Sequence, residues 1–163
     1  YVSRDGGKTF YQKQPEETFP ICDFGYIDTA NKTEVRGEGG KSGVFYMALG
    51  DAGLYKFCYD TGTDEIHVKR LTDAKDACYR MGLGVIGEGR EYLTEEKAIY
   101  FCGRLDGEYG FYRTLDEGKS YERLNRENQM YGEINSIDGD KRKFGRFFLA
   151  TGSRGVLYGE MLK

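Results

Sequence analysis

The sequence has no tryptophan, only two prolines and a single histidine. His67 has no cysteine or carboxylate cluster near it in the sequence, so it is read as a strand-surface residue and not as a metal ligand or catalytic base. No apolar run approaches the length of a membrane-spanning helix. A net charge of −3 lacks the basic excess of nucleic-acid-binding domains. We therefore expect no nucleic-acid or membrane partner, no metal and no other cofactor.

The four cysteines form no CxxC pair, so they do not predict a zinc site. Free, partly buried thiols are one interpretation. A disulfide is the alternative, and Cys78 with Cys102 is then the expected pair, because the predicted topology places both at the same end of adjacent strands. The sequence leaves both interpretations open.

Glycine and aromatic residues are plentiful, with 24 glycines, 14 tyrosines and 10 phenylalanines. This composition favours short strands joined by tight turns. Apolar runs bounded by polar or glycine-rich segments predict strands at 9–12, 33–36, 44–49, 54–57, 65–71, 80–86, 98–102, 110–113, 120–124, 134–137, 147–150 and 156–158. Residues 37–40 are predicted as a turn and residues 103–109 as a loop.

A short motif occurs three times, and its aspartates lie 55 and 56 residues apart. Its pattern is a small polar residue, any residue, Asp, any residue and Gly. In such a turn the aspartate accepts backbone N–H bonds, and the glycine takes the positive φ that a side chain would resist. The predicted structural residues of the three turns are Ser3, Asp5, Gly7, Asp60, Gly62, Asp116 and Gly118.

A strand-built repeat of this length predicts an all-β propeller. Each unit reads as a four-stranded antiparallel meander, or blade, with the aspartate turn between its third and fourth strands. The chain holds about three blades, too few for a closed ring, so we expect the C-terminal part of a larger propeller. Residues 1–28 end one blade and its loop, 29–74 and 75–127 are blades, and 128–163 form an incomplete last blade. The uncovered faces then need the remaining blades of a longer chain, or other copies.

Several stretches resemble glycoside hydrolase family 74, the secreted xyloglucanases, in its C-terminal propeller region. They are residues 53–56, 98–100, 110–118 and 131–135, and above all the run from 139 to 159. The turn motif itself resembles the Asp-box, or BNR, repeat, which sialidases and sorting-receptor propellers also carry. The chain departs from the family pattern at Cys58, Gln129 and Lys141.

The resemblance implies part of a seven-bladed propeller in an extracellular enzyme that cleaves the β-1,4-glucan backbone of xyloglucan with inversion. Neither catalytic motif of the family has a match, so no residue here is expected to be catalytic. The chain alone is expected to be inactive and to form one wall of a cleft for a plant cell-wall β-glucan. The alternative is a non-catalytic Asp-box binding module of the sorting-receptor or sialidase-like type.

Loops at the strand ends away from the aspartate turns carry the candidate binding residues. Aromatic faces pack on sugar rings, and amide or charged groups bind sugar hydroxyls. The candidates are Tyr109, Asn128, Gln129, Tyr131 and Arg154. Ordinary loop packing is the competing interpretation for all five. Asp51 and Asp106 could form a carboxylate pair, but the glycine beside each favours turn chemistry.

Overall fold

The computed structural model describes residues 1–13, 36–38, 42–60, 62–90 and 96–161. All regular secondary structure in this part of the chain is β, as predicted, in three antiparallel sheets. None of the described residues forms a helix that could cross a membrane. The strands are β1 (Arg36–Glu38), β2 (Ser42–Ala48), β3 (Leu54–Asp60), β4 (Glu65–Arg70), β5 (Ala77–Gly84), β6 (Ala98–Leu105), β7 (Glu108–Thr114), β8 (Glu122–Arg123), β9 (Ile134–Gly139), β10 (Phe147–Thr151) and β11 (Val156–Gly159).

Each sheet is a meander in chain order. Sheet I has the order β1-β2-β3-β4, sheet II β5-β6-β7-β8, and sheet III β9-β10-β11. The predicted strand at 33–36 lies outside the described residues except for Arg36, and β1 continues through Gly37 and Glu38, which were predicted as a turn. In the predicted strand at 9–12, only Tyr11 pairs, through a bridge to Val2.

The loop predicted at 103–109 is wrong, because β6 and β7 run through most of it. Asp106 and Gly107 have φ angles of 52° and 85° and form a two-residue turn of the type that suits twisted hairpins. Gly103 lies within β6, where an added Cβ would come 2.0 Å from the carbonyl oxygen of Ala77. This glycine permits a close approach of strands and does not interrupt one.

Apolar clusters hold the sheets face to face. Tyr46, Leu54 and Leu71 of sheet I and the segment after it pack against Cys78, Met81, Ile99, Phe101 and Tyr112 of sheet II. On the other face of sheet II, Ala98, Tyr100, Cys102 and Phe111 pack against Ile134, Ile137, Phe147 and Leu149 of sheet III. Sheet II is therefore covered on both faces.

The two buried cysteines of sheet II belong to different clusters. Cys78 packs toward sheet I and Cys102 toward sheet III, on opposite faces of the sheet. Both are free thiols, which rules out the disulfide alternative in this structure. Burial raises the pKa of Cys78 well above its ordinary value and that of Cys102 to about 11.

Glycines bring β5 of sheet II directly against β9 of sheet III. A Cβ on Gly82 would lie 2.3 Å from the carbonyl oxygen of Ile137. A Cβ on Gly139 would lie 2.7 Å from the Cα of Gly84 and 2.5 Å from the ring of Tyr100. None of these three glycines has a positive φ, so they matter here for their lack of a side chain and not for their backbone conformation.

The turn after β7 is held together by its aspartate and a threonine hydroxyl. Asp116 Oδ1 accepts the Ser120 N–H at 2.9 Å, and Asp116 Oδ2 accepts the Ser120 hydroxyl at 2.6 Å. The Thr114 hydroxyl accepts the N–H of Gly118, also at 2.9 Å. The turn at the start of the chain has the same three bonds, made by Asp5 with Thr9 and by Ser3 with Gly7. The hydroxyl and backbone donors lower the pKa of both aspartates to about 2.

The turn between β3 and β4 is built differently. Asp60 Oδ1 accepts N–H bonds from Gly62 at 2.7 Å and Thr63 at 3.4 Å. The residue with positive φ is Asp64, at 64°, and not Gly62 as the motif predicts. Cys58 stands where the other two turns have a hydroxyl, so the bond made by Ser3 and Thr114 is not formed here.

Gly82→Ala is expected to lower the free energy of unfolding by about 1–3 kcal/mol, because the new methyl collides with the Ile137 carbonyl in a packed contact. Guanidinium denaturation followed by circular dichroism measures the change. Gly152→Ala is the control, since its Cβ would meet Glu133 at 3.4 Å, an ordinary contact. The control should stay within about 0.5 kcal/mol of wild type. Equal losses in both variants would contradict the close-approach argument.

Acid should weaken the fold partly through the aspartate turns. The folded-state pKa of Asp116, about 2, lies below the ordinary value of 3.8. Its stabilising contribution is therefore complete above the ordinary value and disappears as the pH falls toward the folded value. Asp116→Asn should lower the Tm at neutral pH and flatten the decline of Tm in acid, and Ser120→Ala should do so less. Scanning calorimetry across this pH range measures the Tm. An Asp116→Asn variant whose Tm falls in acid as steeply as that of wild type would contradict the prediction.

Candidate functional site

The candidate binding residues lie along one edge of the sheets, which we call the connection edge. It consists of the turns at 49–53, 105–108 and 151–155 and the connections at 71–76 and 124–133. Backbone bonds join sheets I and II along it, where Gly50 and Cys78 exchange two N–H···O bonds of 2.8 Å. At the end of sheet III, the Gly152 N–H donates to the Glu133 carbonyl at 3.0 Å, beside the paired residues Thr151 and Ile134. The aspartate turn after β7 lies at the opposite end of that strand from Tyr109.

Four aromatic rings form a row along the connection edge. Tyr79 lies 6.3 Å from Tyr109 between ring centroids, and Tyr109 lies 6.4 Å from Phe111. Tyr131 stacks on Phe111 at 6.3 Å with nearly parallel planes. At the other end, the Tyr79 hydroxyl donates to Asp51 Oδ1 at 3.3 Å. The row therefore extends from the β2–β3 turn of sheet I, across sheet II, to the connection into sheet III.

The main role of Tyr109 in this row is packing and not contact with solvent. Its ring is half-buried and packs against the apolar cluster between sheets II and III, which includes Cys102 and Phe111. Burial raises the pKa of Tyr109 well above its ordinary value. Among the predicted residues it is thus the one held most firmly by packing.

The connection at 124–133 is organised by Asn125, a buried residue that the sequence analysis missed. Its Oδ1 accepts the Phe111 N–H at 2.8 Å, and its Nδ2 donates to the carbonyls of Arg126 at 3.1 Å and Gln129 at 3.4 Å. Gln129 Oε1 accepts the Arg126 N–H at 2.9 Å, so its oxygen is committed to its own loop. Asn128 is exposed at the tip of this loop.

Tyr131 lies in the connection from sheet II to sheet III, and Arg154 lies in the turn between β10 and β11 of sheet III. Tyr131 has a φ of 52° and keeps one face of its half-buried ring on Phe111. Arg154 is exposed in the β10–β11 turn, which the Thr151 hydroxyl holds by accepting the Arg154 N–H at 2.8 Å. The structure thus brings the predicted residues to one edge, with Tyr131, Asn128 and Arg154 the most available to a ligand.

The two aspartates considered as a carboxylate pair have separate partners. Asp106 forms an ion pair with Lys75, and its N–H donates to Asp76 Oδ1 at 2.8 Å. Asp51 accepts a hydrogen bond from the hydroxyl of Tyr79 in β5. Within the described ranges, no group of three histidine, cysteine or carboxylate side chains is arranged to hold a metal ion.

Tyr79 is the second residue that the sequence analysis missed. It sits at an irregularity between Cys78 and Arg80, where the register of β5 against β6 shifts by one residue. The shift places Cys78 in the core with sheet I and Tyr79 on the opposite face, where its ring joins the aromatic row. Strict alternation along the strand, which is all that a sequence reveals, cannot locate such a shift.

The chain is similar to xyloglucanases over almost its whole length, although no family model matches it. Xyloglucanase Xgh74A of Acetivibrio thermocellus is 30% identical over 161 residues, which are 98% of this chain and 17% of that protein. A xyloglucanase of Paenibacillus sp is 30% identical over 98% of this chain and 14% of its own length. The oligoxyloglucan-reducing end-specific xyloglucanase of Emericella nidulans is 29% identical, with shares of 99% and 19%.

Solved structures give the same result. The GH74 xyloglucanase of Xanthomonas campestris matches with a TM-score of 0.60 and 27% identity, over 80% of this chain and 17% of that one. The GH74 enzyme of Niastella koreensis matches with a TM-score of 0.57 and 26% identity, over 77% and 17%. These matches confirm the predicted resemblance and the propeller type of the fold. The chain spans less than a fifth of the length of these relatives.

Proposed function

We propose that this chain, which resembles the glycoside hydrolase family 74 xyloglucanases over nearly all of its residues, is a piece of such an enzyme. In this proposal it supplies one wall of a glycan-binding cleft and none of the catalytic acids. The observation that carries the proposal is the match of 98% of the chain to a xyloglucanase. The relatives described above are hydrolases, which favours this function over a non-catalytic binding module.

The connection edge has the chemistry that a polysaccharide requires. The outer face of Tyr131 would pack on a sugar ring, with its other face fixed on Phe111. Asn128 and Arg154 would bind hydroxyl groups, since both are exposed and both carry several N–H donors. Tyr109 and Gln129 would act mainly by holding the surface in shape, because the Tyr109 ring packs against the core and the Gln129 Oε1 is bonded within its own loop.

Hydrolysis with inversion needs two carboxyl groups on opposite sides of the scissile bond, with room for a water molecule. Asp51 and Asp106 do not supply such a pair, because each is held by a different neighbour. We therefore place the catalytic acids in the remainder of a longer, extracellular polypeptide. This chain would be a C-terminal part of its seven-bladed propeller, and the substrate would be a plant cell-wall β-glucan of the xyloglucan type.

Arg154→Ala should weaken retention of the chain in affinity electrophoresis on xyloglucan by about tenfold in Kd, the effect of losing one charged hydrogen bond. Tyr131→Ala should weaken it at least as much, because the stacking face is removed. Arg142→Ala is the matched control, an exposed arginine beyond the far ends of β5 and β9. The control should migrate like wild type. Equal retention of Arg154→Ala and wild type would count against the connection edge as the binding surface.

The 163-residue chain should release no oligosaccharide from tamarind xyloglucan, because the acids are proposed to lie elsewhere. Reducing-end assays measure this, with carboxymethyl-cellulose as the comparison substrate. The same segment within its full-length polypeptide should support release from xyloglucan in preference to carboxymethyl-cellulose. Cleavage by the isolated chain, or none by the full-length protein, would overturn the proposal.

A further inference from the structure

Arg104 is the single exposed residue of β6. Side chains alternate along a strand, so it lies on the same face of sheet II as Cys102, which packs toward sheet III. Its register partner in β7 is Tyr109. Burial raises the pKa of Tyr109, and the positive charge of Arg104 opposes that rise, as expected of a guanidinium near the phenol. Arg104 therefore presents its charge beside the aromatic row at the connection edge.

Two residues of β5 complete this part of the face. The register irregularity in β5 places Tyr79 and Arg80 on it together, with Arg80 paired opposite Cys102. The Tyr79 ring is half-buried and lies 6.3 Å from the ring of Tyr109. Arg80 is held beside it, because its Nη1 donates to the Tyr79 carbonyl at 2.8 Å. Two tyrosine rings and two guanidinium groups thus share one part of this face.

The carboxylates of the neighbouring turns are already engaged. Those in the turns at 49–53 and 105–108 have these partners: Asp51 accepts from Tyr79 at 3.3 Å, Asp106 pairs with Lys75, and Glu108 pairs with Arg123 at 3.0 Å. In the described part of the chain, no ion pair includes Arg104. A carboxylate arriving from outside therefore meets an arginine that no described acid of the protein occupies.

We infer that Arg104, Tyr79 and Tyr109 form a binding site for a sugar that carries a carboxylate, as a uronic acid unit of a polysaccharide does. A tyrosine ring offers an apolar face to the sugar ring, and a guanidinium binds a carboxylate through two parallel N–H···O bonds. Arg80 adds a second positive charge, which favours an anionic ligand over a neutral one. The site goes beyond the proposed function, because a β-1,4-glucan has no carboxylate and would use only the tyrosine faces.

Trigalacturonic acid is the probe, and the same trisaccharide methyl-esterified at every carboxyl group is the matched neutral ligand. Isothermal titration calorimetry should give a Kd for the acid at least about tenfold lower than for the ester, the effect of one charged hydrogen bond. Acetate, added at the concentration of the acid, should not displace it, because acetate has no ring to stack on tyrosine. Equal Kd values for acid and ester, displacement by acetate, or no binding of the acid at about 10 mM would overturn the inference.

Arg104→Gln should weaken binding of the acid about tenfold and leave the Kd of the ester within about twofold of wild type, which also shows that the variant is folded. Arg142→Gln is the matched control, an exposed arginine beyond the far ends of β5 and β9, and should bind both ligands like wild type. Tyr79→Leu should weaken binding of both ligands, because the stacking face is lost. An Arg104→Gln variant that binds the acid like wild type, or that loses affinity for both ligands equally, would contradict the assignment. Neither ligand is a xyloglucan, so this site and the proposed function can fail independently.

Discussion

The contact between β5 and β9 sets the arrangement of the other strands around it. Gly82, Gly84 and Gly139 have no side chains to separate the two backbones, so sheets II and III meet almost directly at their first strands. Farther out, large side chains such as Phe111 and Phe147 fill the space between the same sheets. Contact that is close on one side and wide on the other makes the sheets fan out, as blades do around an axis.

This fanning also explains the form of the candidate site. Connections from one sheet to the next must cross from an outer strand to an inner one, and they do so at the connection edge. The residues that stabilise these crossings, Asn125 and Tyr109, are buried or half-buried. Those at the tips, Asn128 and Arg154, are exposed. In the proposed function, the buried residues would keep the exposed polar groups in place, so that a long, hydroxyl-rich polymer could bind without rearrangement of the surface.

Much of this architecture could be predicted from the sequence. The repeated aspartate turns and the apolar runs gave the strand order, because turn chemistry and alternation are local properties. Gly103 shows the limit of such reasoning, since a glycine in a turn and a glycine under a neighbouring strand look alike in a sequence. The register shift at Tyr79 and the buried amide of Asn125 were missed for a related reason. Both depend on contacts between segments far apart in the chain.

The five residues proposed from the sequence stay a prediction as a binding site, and the structure shows where they lie. All five proposed residues lie along one edge, yet the Tyr109 ring packs on the core and the Gln129 Oε1 accepts a bond from its own loop. Local sequence cannot reveal these contacts, because they depend on how the backbone brings β6, β7 and the loop at 124–133 together.

The sandwiching of sheet II between two apolar clusters has a consequence for the dynamics of the chain. In a stack of this kind each layer draws its stability from its neighbours, so a layer with one neighbour opens more often than a layer with two. Amide protons of β6 and β7 therefore exchange with solvent most slowly. Those of β10 and β11 exchange earlier, through local opening of sheet III that leaves the centre of the stack intact.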